Sequence, residues 1–282
     1  MVIFREDISM RFQLSAFADE AGSSLSEQIA AMRENNIPYL EIRGVDGENI
    51  SDITNEKAKQ VRKQLDDNGL SVWSLGSPYG KQGITEPFEP HLDRFKHGLE
   101  LAEILGTKHI RIFSFYVPAD EAAGYRDEVM SRLDKFCFAA KGSGIVLCHE
   151  NEKGIYGDNA LRCEDIHREF SAVKAVFDPA NFIQCGQDTK AAWELLSPYV
   201  EYMHIKDAKF DGSVVPAGHG EGNIPFLLSE YKGDVLTVEP HLSVFSGFDK
   251  LERDNKTPQD NYCYPSTRSA FDAAVNALKE LI

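Results

Sequence analysis

Short apolar runs rich in β-branched residues alternate with longer stretches of helical period along the whole chain, and eight such units follow one another. The runs cover residues 11–17, 39–43, 70–75, 109–113, 144–150, 174–178, 200–205 and 234–239. Between them, apolar residues recur at three- and four-residue spacing, as in Leu25, Ile29 and Met32, or Phe271, Ala274, Val275 and Leu278. That spacing lines one face of a helix, whereas a continuous short apolar run suits a buried strand. Local signals mark the boundaries. Ser24 and Glu27 have capping-box spacing, Asn68-Gly69 and Gly106 sit where helices stop, and Pro225 suits a first helical turn. Eight consecutive strand–helix units close into a (β/α)₈ TIM barrel, an α/β fold in one domain. An open doubly wound sheet would call for a glycine-rich turn after the first strand, but the chain has Asp19-Glu20-Ala21-Gly22 there. The barrel is expected to span 10–282, starting at Met10. Residues 1–9 match no barrel element and read as an N-terminal extension.

Charge and cysteine use narrow the partners. The 282 residues carry a formal net charge of −15, opposite to what a surface that wraps phosphate backbones needs, so nucleic acid is not an expected partner. The five cysteines are odd in number and form no CxxC pair, which fits reduced thiols rather than a disulfide framework. Cys148 and Cys185 lie in sequence near the strand-end acids Glu150 and Asp178, but neither has a partner at metal-ligand spacing. The opening Met1-Val-Ile-Phe-Arg-Glu-Asp is broken by charge too early for a secretion signal, and no stretch reaches the roughly 20 apolar residues that cross a bilayer. The expectation is a cytoplasmic protein with no membrane partner.

In a barrel of this kind the functional face lies at the C-terminal ends of the strands. The ends of the fifth to eighth runs carry Glu150, Asp178, His204 and Glu239. Their separations, 178 − 150 = 28, 204 − 178 = 26 and 239 − 204 = 35, sit near the roughly 31-residue unit of an eight-unit barrel of about 250 residues. All four should therefore project into one cup. Three carboxylates crowded with an imidazole repel one another unless a cation joins them. Four unrelated polar strand ends, with Glu239 ion-paired and His204 capping, are the alternative. The shared register favours one divalent metal, Mn²⁺ first, with Mg²⁺, Co²⁺ or Zn²⁺ also suited to oxygen-rich ligation with one nitrogen.

Six segments along the chain carry a resemblance. They are residues 14–20 (Leu-Ser-Ala-Phe-Ala-Asp-Glu), His149-Glu-Asn151, residues 177–182 (Phe-Asp-Pro-Ala-Asn-Phe), His204-Ile-Lys-Asp207, residues 216–222 (Pro-Ala-Gly-His-Gly-Glu-Gly) and Val238-Glu-Pro-His241. In that order they resemble the xylose-isomerase-like barrels, in the branch of sugar-phosphate isomerases and epimerases. The resemblance implies that Glu150, Asp178, His204 and Glu239 are the metal ligands. It also implies that Glu150 and Glu239 are catalytic, facing opposite sides of a bound sugar or sugar phosphate. One removes a proton beside a carbonyl and one is returned, through a metal-stabilised enediolate. Two positions depart from the epimerase pattern: Asn181 stands where it has a histidine, and Lys206 where it offers an arginine somewhat further on. Substrate handling is therefore expected to differ.

Other residues are assigned to the substrate with a structural alternative beside each. Lys206 suits a substrate hydroxyl or phosphate, or an ion pair with Asp207. Arg43 suits a substrate anion, or a salt bridge with Glu41 or a loop acid. Asn181 and His241 complete the substrate set, whereas His149 and His219 read as supporting or solvent-facing. The 216–222 loop suits either a phosphate cradle or, more simply, a tight connection. Trp73 and Trp193 read as packing. The 242–265 connection, with Phe245, Phe248, Tyr262 and Tyr264, is long enough to be a lid or a subunit contact, which leaves a homo-oligomer open.

Four functions compete for such a chain. The first is the isomerase or epimerase. The second is a metal-dependent dehydratase of a keto-inositol or related keto-sugar, which begins with the same proton abstraction. A three-metal abasic-site nuclease shares the barrel but needs histidines at strand ends one to four, where this chain has none. A silent scaffold barrel would not need four ligands.

Overall fold

Each of the eight apolar runs becomes a parallel strand because neither face can meet water: one faces the barrel interior and the other the helix layer. In the computed structural model, which describes residues 11–243 and 263–282, these strands are β1 (Gln13–Ala16), β2 (Tyr39–Ile42), β3 (Ser71–Leu75), β4 (His109–Ile112), β5 (Val146–Glu150), β6 (Lys174–Phe177), β7 (Val200–Ile205) and β8 (Val235–Val238). They form a closed barrel in sequence order, and β1 closes it against β8 through Gln13–Val235 to Ala16–Val238. The expected TIM barrel is thus the fold. The proposed extension at 1–9, and all of the 242–265 connection beyond its first two and last three residues, lie outside the described residues.

The helices are α1 (Leu25–Glu34), α2 (Asn55–Asp67), α3 (Glu89–Leu105), α4 (Arg126–Ala140), α5 (Ala160–Glu169), α6 (Pro179–Gln184), α7 (Thr189–Leu196), α8 (Ile224–Glu230) and α9 (Thr267–Lys279). Their ends follow local chemistry. The Ser24–Glu27 capping box forms at α1, and Gly106 ends α3 in the left-handed region at φ 72°. Their buried faces pack on the barrel as one apolar core, with Leu25, Val61, Phe95, Leu133, Ile166 and Phe271 among its members. None of the helices is long and apolar enough to cross a membrane, among the described residues.

One unit differs from expectation. The sixth strand was expected to lead to a single helix near 191–196, but α6 intervenes immediately after β6. Asp178 is its N-cap, accepting the backbone N–H of Asn181 at 2.9 Å, and Pro179 fills the first turn. Six residues are too few to display a helical period, so this helix was not visible as one.

Candidate metal centre

Glu150 ends β5, Asp178 and Glu239 each sit one residue beyond β6 and β8, and His204 lies one residue before the end of β7. Adjacent strands thus deliver the four side chains to one mouth of the barrel. A ligand atom from each lies within 4.8 Å of the others, and all four residues are buried. His204 Nδ1 is 3.1 Å from Glu150 Oε1 and 3.4 Å from Glu239 Oε2. His204 Nε2 lies 3.0 Å from Glu41 Oε2.

The residues around them are charged to an unusual degree for a buried site. Arg111, from β4, donates to Glu150 Oε2 at 3.0 Å. Arg43, just past β2, holds Asp19 with two nitrogens at 2.9 and 3.1 Å, Glu20 at 3.0 Å and Glu239 Oε1 at 3.3 Å. Both guanidinium groups lie over the Phe17 ring, 4.4 Å (Arg43) and 4.9 Å (Arg111) from its centroid, and that ring stands nearly perpendicular to His204. Lys206 Nζ lies 2.9 Å from Glu239 Oε2 and 3.0 Å from Asp178 Oδ2. The cluster therefore sets six carboxylates (Asp19, Glu20, Glu41, Glu150, Asp178, Glu239) against three permanent cations (Arg43, Arg111, Lys206). A divalent ion would offset much of that excess. Oxygen donors with one nitrogen, spread over a compass about twice a metal–oxygen bond, are the donor set such an ion takes.

Burial and charge act against each other here. Burial pushes Asp178 up to about 7, with Glu239 and Glu150 adding to the rise and Lys206 opposing it. Burial likewise pushes Glu20 up to about 8, although Arg43 pulls the other way. Burial disfavours charge on Glu239 too, yet Lys206, His241 and His204 hold it well below the usual carboxylate range. Burial would lower His204, but Glu150 and Glu41 carry it well above its ordinary value.

The sequence-assigned substrate residues all reach this cluster, and most are already engaged. Asn181 donates to Glu150 Oε1 at 3.2 Å and to the Asn151 carbonyl at 2.9 Å. His241 places Nε2 3.4 Å from Glu20 Oε1 and 3.5 Å from Glu239 Oε1. Arg43 pairs with loop acids, not with Glu41. Lys206 does not turn to Asp207 as the alternative had it. The Asp207 carboxylate instead accepts the backbone N–H groups of Ala208, Gly218, Gly220 and Gly222 at 2.9–3.0 Å. The 216–222 loop does cradle an anion, and it is the chain's own Asp207. His149 points away from the mouth to Ser114 Oγ at 2.9 Å, and His219 is exposed.

Sequence reading missed Glu41, Arg111, Asp19, Glu20 and Phe17 as members of the site. A signal existed for two of them. Glu41 in Leu40-Glu-Ile42 and Arg111 in Ile110-Arg-Ile112 are charges inside apolar strands of a fully covered sheet, so each had to face the barrel interior with a partner. Beside the site, a cavity of about 500 Å³ opens at the rim above β3 to β5, with Ile84, Thr85, Tyr116 and Glu152 on its wall. Glu152 in turn accepts from Lys81 Nζ at 2.8 Å.

A parallel (β/α)₈ barrel with a buried carboxylate–imidazole cluster at the C-terminal mouth is the class these features define. Residues 29–232 match the family described as xylose isomerase-like TIM barrel, and the chain belongs to that family. Among solved structures, it is similar to the probable 3-DHS dehydratase AsbF involved in petrobactin synthesis from Bacillus anthracis. The identity is 16%, with 95% of this chain and 98% of that one covered at a TM-score of 0.72. An L-ribulose 3-epimerase is similar at 15% identity, 96% and 94% coverage and a TM-score of 0.72. The IolI protein, described with a zinc atom, is similar at 14% identity, 96% and 98% coverage and a TM-score of 0.71. At these identities the likeness concerns the fold. No curated protein matches by sequence.

Proposed function

We propose that the protein is a divalent-metal-dependent isomerase or epimerase of a small sugar or sugar phosphate, with Glu150, Asp178, His204 and Glu239 as metal ligands. The observation that carries this reading is the convergence of those four buried side chains within 4.8 Å. Mn²⁺ is the first choice of ion, with Mg²⁺, Co²⁺ or Zn²⁺ also compatible with the donor set. When bound, the ion polarises a substrate carbonyl and neutralises the negative charge that develops on its oxygen.

Glu150 and Glu239 are the proton-moving groups. Glu239, kept ionised chiefly by Lys206, accepts the proton from the carbon beside the carbonyl. Glu150, three strands away around the barrel, returns one from the other side. Lys206, Arg43, His241 and Asn181 meet substrate oxygens around these carboxylates. Burial of the whole cluster keeps bulk water from competing for the proton. Five free cysteines fit a reducing, cytoplasmic setting, and a net charge of −15 does not suit nucleic acid.

A dehydratase of a keto-inositol or related keto-sugar is the second reading. The specific observation behind it is that Asn181 and Lys206 replace two residues of the ketose 3-epimerase pattern, while both reactions start with the same proton abstraction. NMR of ketoses and ketose phosphates incubated in D₂O separates the two. An epimerase gives deuterium beside the carbonyl in both epimers, whereas a dehydratase leaves an unsaturated product. Glu150→Gln and Glu239→Gln should keep metal and lose turnover by roughly 10²-fold, the scale of a general base. If both variants exchange deuterium at the wild-type rate, the two-glutamate mechanism is wrong.

A further inference from the structure

Glu41 belongs to β2, a strand that supplies none of the four donors, and its side chain is wholly buried inside the barrel. Its Oε1 accepts the Tyr202 hydroxyl at 2.9 Å, and that hydroxyl also lies 3.3 Å from Ser74 Oγ. Arg111 Nε is 4.0 Å from the same Oε1. That oxygen is therefore occupied as an acceptor, with a guanidinium nearby. Its other oxygen, Oε2, lies 3.0 Å from His204 Nε2.

A neutral imidazole carries one N–H and one lone pair, on different nitrogens. Glu41, already accepting from Tyr202 and flanked by Arg111, faces Nε2 as an acceptor, so the Nε2 side of His204 carries the hydrogen. With the lone pair there instead, two acceptors would face each other at 3.0 Å in a dry interior, an arrangement with no compensating bond. Both ring nitrogens face carboxylate oxygens, but a cation among the four donors can replace a hydrogen only on the nitrogen that faces them. With Nε2–H held by Glu41, the lone pair such a cation meets is on Nδ1. That nitrogen is the one directed at Glu150 Oε1 and Glu239 Oε2. The Phe17 edge, with its centroid 5.2 Å away, and the Tyr202 ring at 5.6 Å limit rotation of the imidazole.

We propose that Glu41 is a positioning residue: it selects the Nε2–H form of His204 and so presents the Nδ1 lone pair as the nitrogen donor for a divalent cation. This rests on the metal-binding reading above and adds to it which ring nitrogen binds and which residue decides so. A carboxylate behind a ligating histidine fixes the ring and raises its basicity, and losing such a partner typically weakens metal affinity 10–100-fold.

Zn²⁺ is the probe, because it is diamagnetic and suits mixed oxygen and nitrogen ligation. Histidine labelled with ¹⁵N reports which ring nitrogen is protonated and which is metal-bound, and the His204 signals are assigned by their loss in His204→Asn. Wild-type protein with Zn²⁺ should show a protonated Nε2 and a coordinated Nδ1. Glu41→Gln still offers an amide oxygen to the N–H, so it should keep that pattern with affinity about tenfold weaker. Glu41→Leu offers no acceptor and should approach 100-fold. Should Glu41→Leu fail to fold, Glu41→Gln decides alone. Zn²⁺ bound through Nε2, or wild-type affinity in Glu41→Gln, would overturn the proposal while leaving the metal reading intact. Wild-type protein that binds no Zn²⁺ would overturn both.

Discussion

Asp178 and Glu20 pay for burial in opposite company: Asp178 lies among other acids with one lysine, and Glu20 lies against Arg43. Both end with raised pKa values, about 7 and about 8. The unfolded chain releases these protons near 3.8 and 4.5, so the folded state holds them over a wider range. Stability from such groups is fully present below the unfolded values and is lost as pH rises through the folded ones. His91, His149, His167 and His241, lowered chiefly by burial, act the other way. Their contribution is present above the ordinary 6.5 and is lost as pH falls. Above pH 6.5 those histidines are neutral in both states, and Asp178 and Glu20 set the slope, with the raised His204 adding the same sign. In chelator, the melting temperature should therefore fall between pH 6.5 and pH 8. A melting temperature that climbs over that interval would show that the acids are not held protonated by burial.

At the scale of elements, the connection after β7 shows how a loop supports the site. Asp207 follows Lys206 directly, and its carboxylate gathers three glycine N–H groups from 218 to 222. Gly218 takes φ 83°, a left-handed conformation that favours glycine. A Cβ at Gly220 would collide with Asp207 Oδ1 and lie 2.5 Å from the Ala208 carbonyl oxygen. Gly220→Ala should therefore lower the melting temperature by roughly 2–6 °C, from an overpacking cost of about 1–3 kcal/mol. An unchanged melting curve would mean the loop yields freely. The same element shows the limits of sequence. Glycine spacing revealed a loop able to hold an anion, but not that the anion is a side chain 11 to 15 residues upstream of those glycines. The eight strands were legible because each is a continuous apolar run with a turn signal on either side. Helix α6 was not, because Pro179–Gln184 is shorter than two turns. Glu150, Asp178, His204 and Glu239 were legible because ends of successive strands share a mouth. Glu41 and Arg111 lie within strands: barrel closure brings β2 round to face Tyr202 and His204 of β7, and Arg111 reaches Glu150 on the neighbouring β5.

For the whole molecule, the barrel turns separations of 26 to 35 residues in sequence into a few ångströms in space. The scaffold does so at a cost, since its mouth gathers more buried acid than its own cations offset, and this excess is the feature a divalent ion would relieve. The most direct test is calorimetric titration of Mn²⁺ into chelator-stripped protein, with Asp178→Asn and His204→Asn alongside. A metal centre built from these four ligands predicts one saturable site per wild-type chain and much weaker binding in both variants, with circular dichroism confirming that each is folded. Wild-type protein without saturable binding, or folded variants that bind Mn²⁺ as tightly as wild type, would contradict it.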